Sequence, residues 1–201
     1  MNSFSISQLS QFSGVKQHTI RIWEQRYNAL TPGRSEGNTR YYDGDQLRRL
    51  LNIVNLNGAG MKISEIGILS DEELFALAAK LENEDNSNAH AYFISQLINA
   101  GLDYDEVAFE KAFSHSVEKC NIKEVYLNIL YPLMVRLGIM WSSDAIPPAQ
   151  EHFLSNLMKQ KLFSLINSVA PSKIKSDAWL LFLPEDEFHE IGLLYANYVL
   201  R

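Results

Sequence analysis

Three groups of side chains have types and spacings that could do chemistry. The first is Glu187-x-His189-x-x-Gly192. A loop histidine can offer one imidazole nitrogen to a metal while a neighbouring carboxylate polarises the ring. A glycine there would let a bulky planar ligand approach the backbone. The same histidine also reads as an ordinary surface residue. The second group is Trp141, nine further residues, then Glu151-His152. An aromatic lid and two polar contacts could close over one ligand; a tryptophan packing a bundle end near a surface histidine is the plainer reading. The third group is N-terminal: Lys16, Gln17, His18, Thr19 and Arg21, followed by Arg34, Asn38, Arg40 and Tyr41. Polar and basic side chains on one helix can reach base edges and phosphates of DNA. Arginines on a following hairpin would grip the backbone, which fixes register without reading sequence.

The elements that must position the third group are legible. Ile6, Leu9 and Phe12 have helical spacing, so a helix is expected over Ser5 to Phe12. Ser13-Gly14 breaks it, and a second helix follows over Val15 to Tyr27 with Ile20, Trp23 and Tyr27 on its apolar face. Pro32-Gly33 ends that region. Gly37-Asn38 marks a turn between two short strands. Asp43 is placed to cap a helix over Gln46 to Asn57, whose stripe is Leu47, Leu50, Leu51 and Val54. Lys62 to Leu69 should be a short helix, and Ser70-Asp71-Glu72-Glu73 has the composition of a capped first turn. Helix, turn, helix and an arginine-bearing hairpin in this order predict a winged helix-turn-helix over residues 1–70.

A polar stretch without apolar period, Glu82 to Asn88, reads as the linker that closes a connecting segment over 71–88. Beyond it, helices are expected over about 89–100, 104–120, 122–140 and 148–168, with short connections, which predicts a four-helix bundle over 89–170. Pro132 implies a bend in the third helix. From 171 the pattern changes. Asp177 to Pro184 is an apolar run of buried-strand type, Glu185 to His189 is polar, and Ile191 to Arg201 looks helical. Strand, loop and helix open a doubly wound α/β domain. Such a domain needs on the order of 100 residues or more, so the chain is expected to be a fragment that ends inside it. The fold class expected is therefore mainly α.

Charge narrows the function. The net charge of −6 argues superficially against DNA. Residues 1–62, however, hold eight Lys/Arg against four Asp/Glu, while the remainder holds ten against twenty. A basic head on an acidic body concentrates attraction to phosphate in one place. A single cysteine, Cys120, excludes an internal disulfide and a multi-cysteine zinc site. No apolar run approaches the roughly 18 residues of a membrane span, and Met1-Asn2-Ser3 lacks the start of a signal peptide. A cytoplasmic protein is expected. No nucleophile–base pair and no acid pair stands out, so catalysis has no candidate residues.

Residues 4–70 resemble the DNA-binding domain of the MerR family at Ser13-Gly14-Val15, at Thr19-Ile20-Arg21-Ile22-Trp23-Glu24 and at Gly37-Asn38-Thr39-Arg40-Tyr41-Tyr42. The resemblance implies a homodimer or larger homo-oligomer that binds and distorts an inverted repeat in double-stranded promoter DNA. Most members dimerise through a long coiled coil; here only Ser70 to Glu82 precedes the polar stretch, so the contact is expected elsewhere. Trp141 with Glu151-His152, and Glu187-x-His189-x-x-Gly192, extend the likeness to cobalamin-binding regulators of that family over the whole chain. That likeness implies adenosylcobalamin as cofactor. His189 would be the lower axial ligand to cobalt with Glu187 behind it, Trp141 would cover the upper face, and Glu151 and His152 would contact the adenosyl group. It also implies a light sensor that represses in the dark and releases DNA when the cobalt–carbon bond is cleaved. Ser142 follows Trp141, so no adjacent histidine could take the upper cobalt position. Two other readings share the motifs: a MerR-like regulator with a degenerate effector domain, and a cobalamin-dependent enzyme module. The enzyme would need a substrate domain where this chain carries its DNA-reading head.

Overall fold

The computed structural model describes residues 3–83, 86–142, 146–170, 178–187 and 189–201, with backbone alone at Asn86, Ile139, Trp141 and Ser142. The first helix, α1 (Ile6–Ser13), starts where the Ser5 side chain accepts from the Gln8 N–H and the Gln8 side chain reaches back. This reciprocal cap satisfies two otherwise orphaned donors. Gly14, at φ 72°, stops the helix in the left-handed region. The second helix, α2 (Gln17–Tyr27), ends the same way at Asn28, φ 55°. Strands β1 (Gly33–Arg34) and β2 (Arg40–Tyr41) pair antiparallel, Gly33 opposite Tyr41 and Arg34 opposite Arg40. A Cβ on residue 33 would lie 2.3 Å from the Tyr41 ring, so only glycine lets the ring cross the strand there. Asp43 caps α3 (Gly44–Gly58) by accepting from the Gln46 N–H, as its position predicts. After α4 (Ile63–Ile66), the reciprocal Ser70–Glu73 cap opens α5 (Asp71–Lys80).

Arg49 of α3 ties this head together. Its Nε donates to the Ala29 carbonyl at 2.8 Å, one Nη to the Leu69 carbonyl at 2.9 Å and the other to Asp71 at 2.6 Å. One guanidinium therefore holds the exits of α2 and α4 and the start of α5.

The linker expectation is corrected. A single 3₁₀ turn over Leu81–Asn83 follows α5, and α6 (Asn86–Asp103) already occupies the end of the polar stretch. Leu81 and Ala89 are buried on either side of it. Apolar anchors that recur through Phe93 and Leu97 carry the helix back over Asn86 to Asn88. Head and bundle share one core: α3 packs on α6 and α1 on α9. At this junction the Asn55 amide donates to the Ser95 hydroxyl at 3.2 Å, both buried. Arg48 of α3 reaches Asp103 at the end of α6.

The bundle consists of α6, α7 (Glu106–Lys119), α8 (Ile122–Val125) continued by α9 (Tyr131–Ser142), and α10 (Pro148–Ser168). Between α8 and α9 the chain makes one π turn, Tyr126–Leu130. Pro132 has no N–H to give the carbonyl four residues back and its ring crowds that carbonyl. The expected bend takes the form of this wider turn just ahead of it. Where α6 crosses α10, a Cβ at Gly101 would lie 2.4 Å from Leu154, so the missing side chain sets how closely the two helices approach.

The strand expected over 177–184 is not formed among the described residues. Residues 178–184 have no ladder partner, and Trp179, Leu180 and Phe182 are 72%, 84% and 72% exposed. An apolar run becomes a strand only when neighbours take its N–H and C=O groups, and no described segment lies there to do so. The helix that follows, α11 (Ile191–Leu200), packs along α10, with Tyr195 stacked on Tyr126 at 3.6 Å between ring centres.

Candidate nucleic-acid interface and cofactor motifs

The helix α2 turns Ile20 and Trp23 inward and leaves Gln17, His18, Arg21, Ile22, Gln25 and Arg26 exposed. Lys16 is exposed just before its first turn, and Thr19 is half-buried at the edge. Lys16, Arg21 and Arg26 enter no ion pair among the described residues. One face of the helix is packed and the opposite face is polar, cationic and open, as a helix that enters a DNA groove requires.

The hairpin stands beside it. Arg34 donates to the Asn38 amide oxygen at 2.7 Å and Asn38 sits at φ 58°, so these two residues brace each other across the turn. Tyr41 is exposed on the far strand. Arg40 is placed differently from the expectation of a free phosphate grip. Its Nε donates to Glu24 of α2 at 2.9 Å, and the Tyr42 hydroxyl donates to the other oxygen of that carboxylate at 3.0 Å. The hydrogen bond to Glu24, and then its charge, raise the Arg40 pKa further. Burial first, and Glu24 second, push the Tyr42 phenol well above its ordinary range. The head's cations thus divide. Arg40, Arg48 and Arg49 bind within the protein, while Lys16, Arg21, Arg26, Arg34 and Lys62 stay on the surface. Sequence reasoning passed over Ile22 and Arg26 as members of the open face. The i, i+4, i+8 spacing of His18, Ile22 and Arg26 carried that signal.

The second group lies in the bundle. Trp141 belongs to the last turn of α9, and its side chain is outside the described residues. Glu151 and His152 occupy the first turn of α10, carboxylate to Nδ1 at 2.8 Å. The preceding residue, Gln150, is buried and donates to the Leu102 carbonyl at 3.0 Å, one residue from the Arg48–Asp103 pair. The third motif forms locally. Glu187 accepts from the His189 backbone N–H at 2.7 Å and meets the ring Nδ1 at 2.5 Å. The imidazole is 93% exposed. With Nδ1 engaged by a carboxylate, the Nε2 lone pair is the one left to a ligand. Lys159 of α10 holds the adjacent Glu190 at 3.2 Å. That anchor lies eight residues beyond Glu151, roughly 12 Å along the helix axis. Among the described residues, a Cβ on Gly192 would meet the Tyr126 hydroxyl at 3.6 Å, so in this arrangement it faces the bundle.

No described helix is long and apolar enough to cross a membrane. Comparison with known proteins agrees with both halves of the fold. Residues 4–73 match the family described as MerR HTH family regulatory protein, and residues 94–166, the bundle, match the B12 binding domain. Over 203 aligned residues the chain is 28% identical to the HTH-type transcriptional repressor CarH of Myxococcus xanthus, covering 99% of this chain and 67% of that protein. It is 26% identical to the HTH-type transcriptional repressor CarA of the same organism, covering 98% of the chain and 64% of CarA. The head alone, 82 residues or 41% of the chain, is 34% identical to the HTH-type transcriptional regulator CueR of Bacillus subtilis, covering 56% of it. The chain spans about two thirds of the length of CarH and CarA. All three relatives are named as regulators and none as an enzyme. An open cationic helix with its wing, fused through a common core to a bundle of the B12-binding type, makes this chain a MerR-type transcription regulator homologous to CarH and CarA.

Proposed function

We propose that the intact protein binds promoter DNA as a homo-oligomer through α2 and the wing, and that adenosylcobalamin held against the bundle controls that binding in response to light. Lys16, Gln17, His18, Thr19 and Arg21 read and grip the major groove, while Arg34, Asn38 and Tyr41 meet the flanking phosphates. His189 would offer its free ring nitrogen to the cobalt, with Glu187 holding the other nitrogen and so fixing the tautomer. Glu151 and His152, with Trp141, would contact the adenosyl group. Bound adenosylcobalamin would contribute a cobalt–carbon bond that visible light breaks.

The donor chemistry fits. His189 is exposed and ring-oriented by a carboxylate, and no group of three or more His, Cys, Asp or Glu side chains gathers among the described residues. A metal taken by this histidine would bring its other ligands with it, as a corrin does. The observation that carries the regulatory reading is the shared core. Gln150, beside Glu151 and His152, holds the turn at Leu102, and the next residue, Asp103, holds Arg48 of α3. A displacement at the start of α10 therefore meets the head within two contacts.

The test is to incubate the intact protein with adenosylcobalamin in the dark, desalt it, and record the visible spectrum. Gel shifts on DNA from its own promoter region follow, before and after illumination. Retained corrin absorbance with a shift lost on illumination is expected. A flat spectrum after desalting, or a shift indifferent to cofactor and light, overturns the proposal.

A further inference from the structure

The structure assigns to Glu24 a task beyond capping charge on a DNA-reading helix: we propose that it is the positioning residue that fixes the wing against α2. The assignment rests on the reading of α2 and the wing as the DNA contact surface. Glu24 lies on α2 with its side chain only 11% exposed. One carboxylate oxygen takes Arg40 of β2 and the other takes the hydroxyl of Tyr42, so a single group spans the helix and the strand returning from the wing. Tyr42 is fully buried and is itself paired through its backbone with Phe4, at 2.7 and 2.8 Å. The strand that leaves the wing is thus fixed on one side by Phe4 and on the other by Glu24. The wing strands are two residues each, too short for their own ladder to hold an orientation. The tie to Glu24 supplies what the ladder cannot.

A positioning role and a bulk-charge role predict opposite signs. An acid beside a DNA-binding face repels phosphate, so its removal alone should tighten binding. Loss of the clamp should loosen binding, because Arg34 and Tyr41 would no longer stand at a set distance from α2. Phosphate contacts are read from the slope of log affinity against log salt, about −0.9 per phosphate engaged, and this measure needs no knowledge of the operator.

The experiment uses the full chain and a fluorescein-labelled mixed-sequence duplex of about 30 base pairs, with binding followed by anisotropy across a salt series. Arg34→Ala, which removes a wing cation, is expected to flatten the slope by about one unit per chain. Glu24→Ala is expected to weaken binding about tenfold at low salt and to flatten the slope by a similar amount, although it removes a negative charge. Glu24→Gln keeps the shape and one acceptor oxygen for Arg40, while its NH2 can donate to the Tyr42 hydroxyl oxygen, and it should recover most of the affinity. That rescue is one that charge removal alone would not give. Glu24→Ala binding as tightly as the parent, or more tightly, with an unchanged slope overturns the clamp and leaves the DNA reading standing. A parent chain whose binding shows no salt dependence sinks the DNA reading and the clamp together. If Glu24→Ala loses its cooperative melt, Glu24→Gln decides: tighter binding than the parent overturns the assignment, and a loss of affinity of up to threefold supports it.

Discussion

The head and the segment over 178–201 handle polarity in opposite ways. In the head, the ties that matter join residues far apart in sequence: Glu24 to Arg40 and Tyr42, and Arg49 to Ala29, Leu69 and Asp71. In the C-terminal segment, His189 meets a carboxylate two residues away while Trp179, Leu180 and Phe182 stand in water. Spacing alone can orient an imidazole, because both partners share one short loop. Spacing alone cannot place that imidazole in a pocket, because the walls of a pocket come from elsewhere. The motif is therefore prepared in its chemistry while its surroundings remain open.

The contrast can be broken most sharply at Arg49. Its side chain is 11% exposed and its loss removes the donor that serves the Ala29, Gly67 and Leu69 carbonyls and Asp71. Arg49→Ala should lower the head's stability by about 2–3 kcal/mol, read as a shifted urea midpoint. An unchanged midpoint would mean that the hub is redundant. Next in size is Arg21→Ala. It should weaken DNA binding by about 1–3 kcal/mol if the side chain meets a base, with the melting temperature unmoved. A variant that binds like the parent would displace the reading helix.

A pH effect comes third. The Tyr42 phenol is raised by burial and by Glu24, so the unfolded chain ionises first. The stability contributed is complete below the ordinary phenol range, near pH 10, and declines as pH rises beyond it. Urea midpoints at pH 8 and about pH 10.5 should differ less in Tyr42→Phe than in the parent. Tyr92 and Tyr126 in the bundle are also raised by burial and cancel in that comparison. An equal decline in both proteins would remove Tyr42 as a cause. The smallest effect belongs to the open segment: Trp179→Ser should change stability by under ~0.5 kcal/mol, the range of surface substitutions. A larger loss would show that the tryptophan packs on something.

Much of the fold was legible because its signals are local. Asp43 and Ser70 announced their caps, and Gly37-Asn38 announced the wing turn. Local signals misled where composition stood in for packing. Glu82 to Asn88 reads as linker by its polarity, yet the anchors flanking it are buried and draw its last three residues into α6. The run before Pro184 reads as a strand, yet a strand is a relation between segments and not a property of one. Arg48 and Arg49 are neighbours with identical side chains, and helical rotation sends one to Asp103 and the other to Asp71. In the candidate site, the two carboxylate–imidazole pairs could be read from spacing. The diversion of Arg40 from DNA to Glu24 could not, because sixteen residues separate the partners.

The wide turn at Tyr126–Leu130 has an arithmetic consequence. It accommodates one residue more than a regular helix would over the same rise, and each residue is worth about 100° of azimuth. Leu133, Leu137 and Met140 are buried downstream of it. Winding that turn into regular α-helix with every residue kept would swing this apolar row about a quarter-turn out of the core, whereas removing one residue along with the bulge would leave it in place. The irregularity thus works as a phase shifter, matching the inner face of one half of the helix to that of the other.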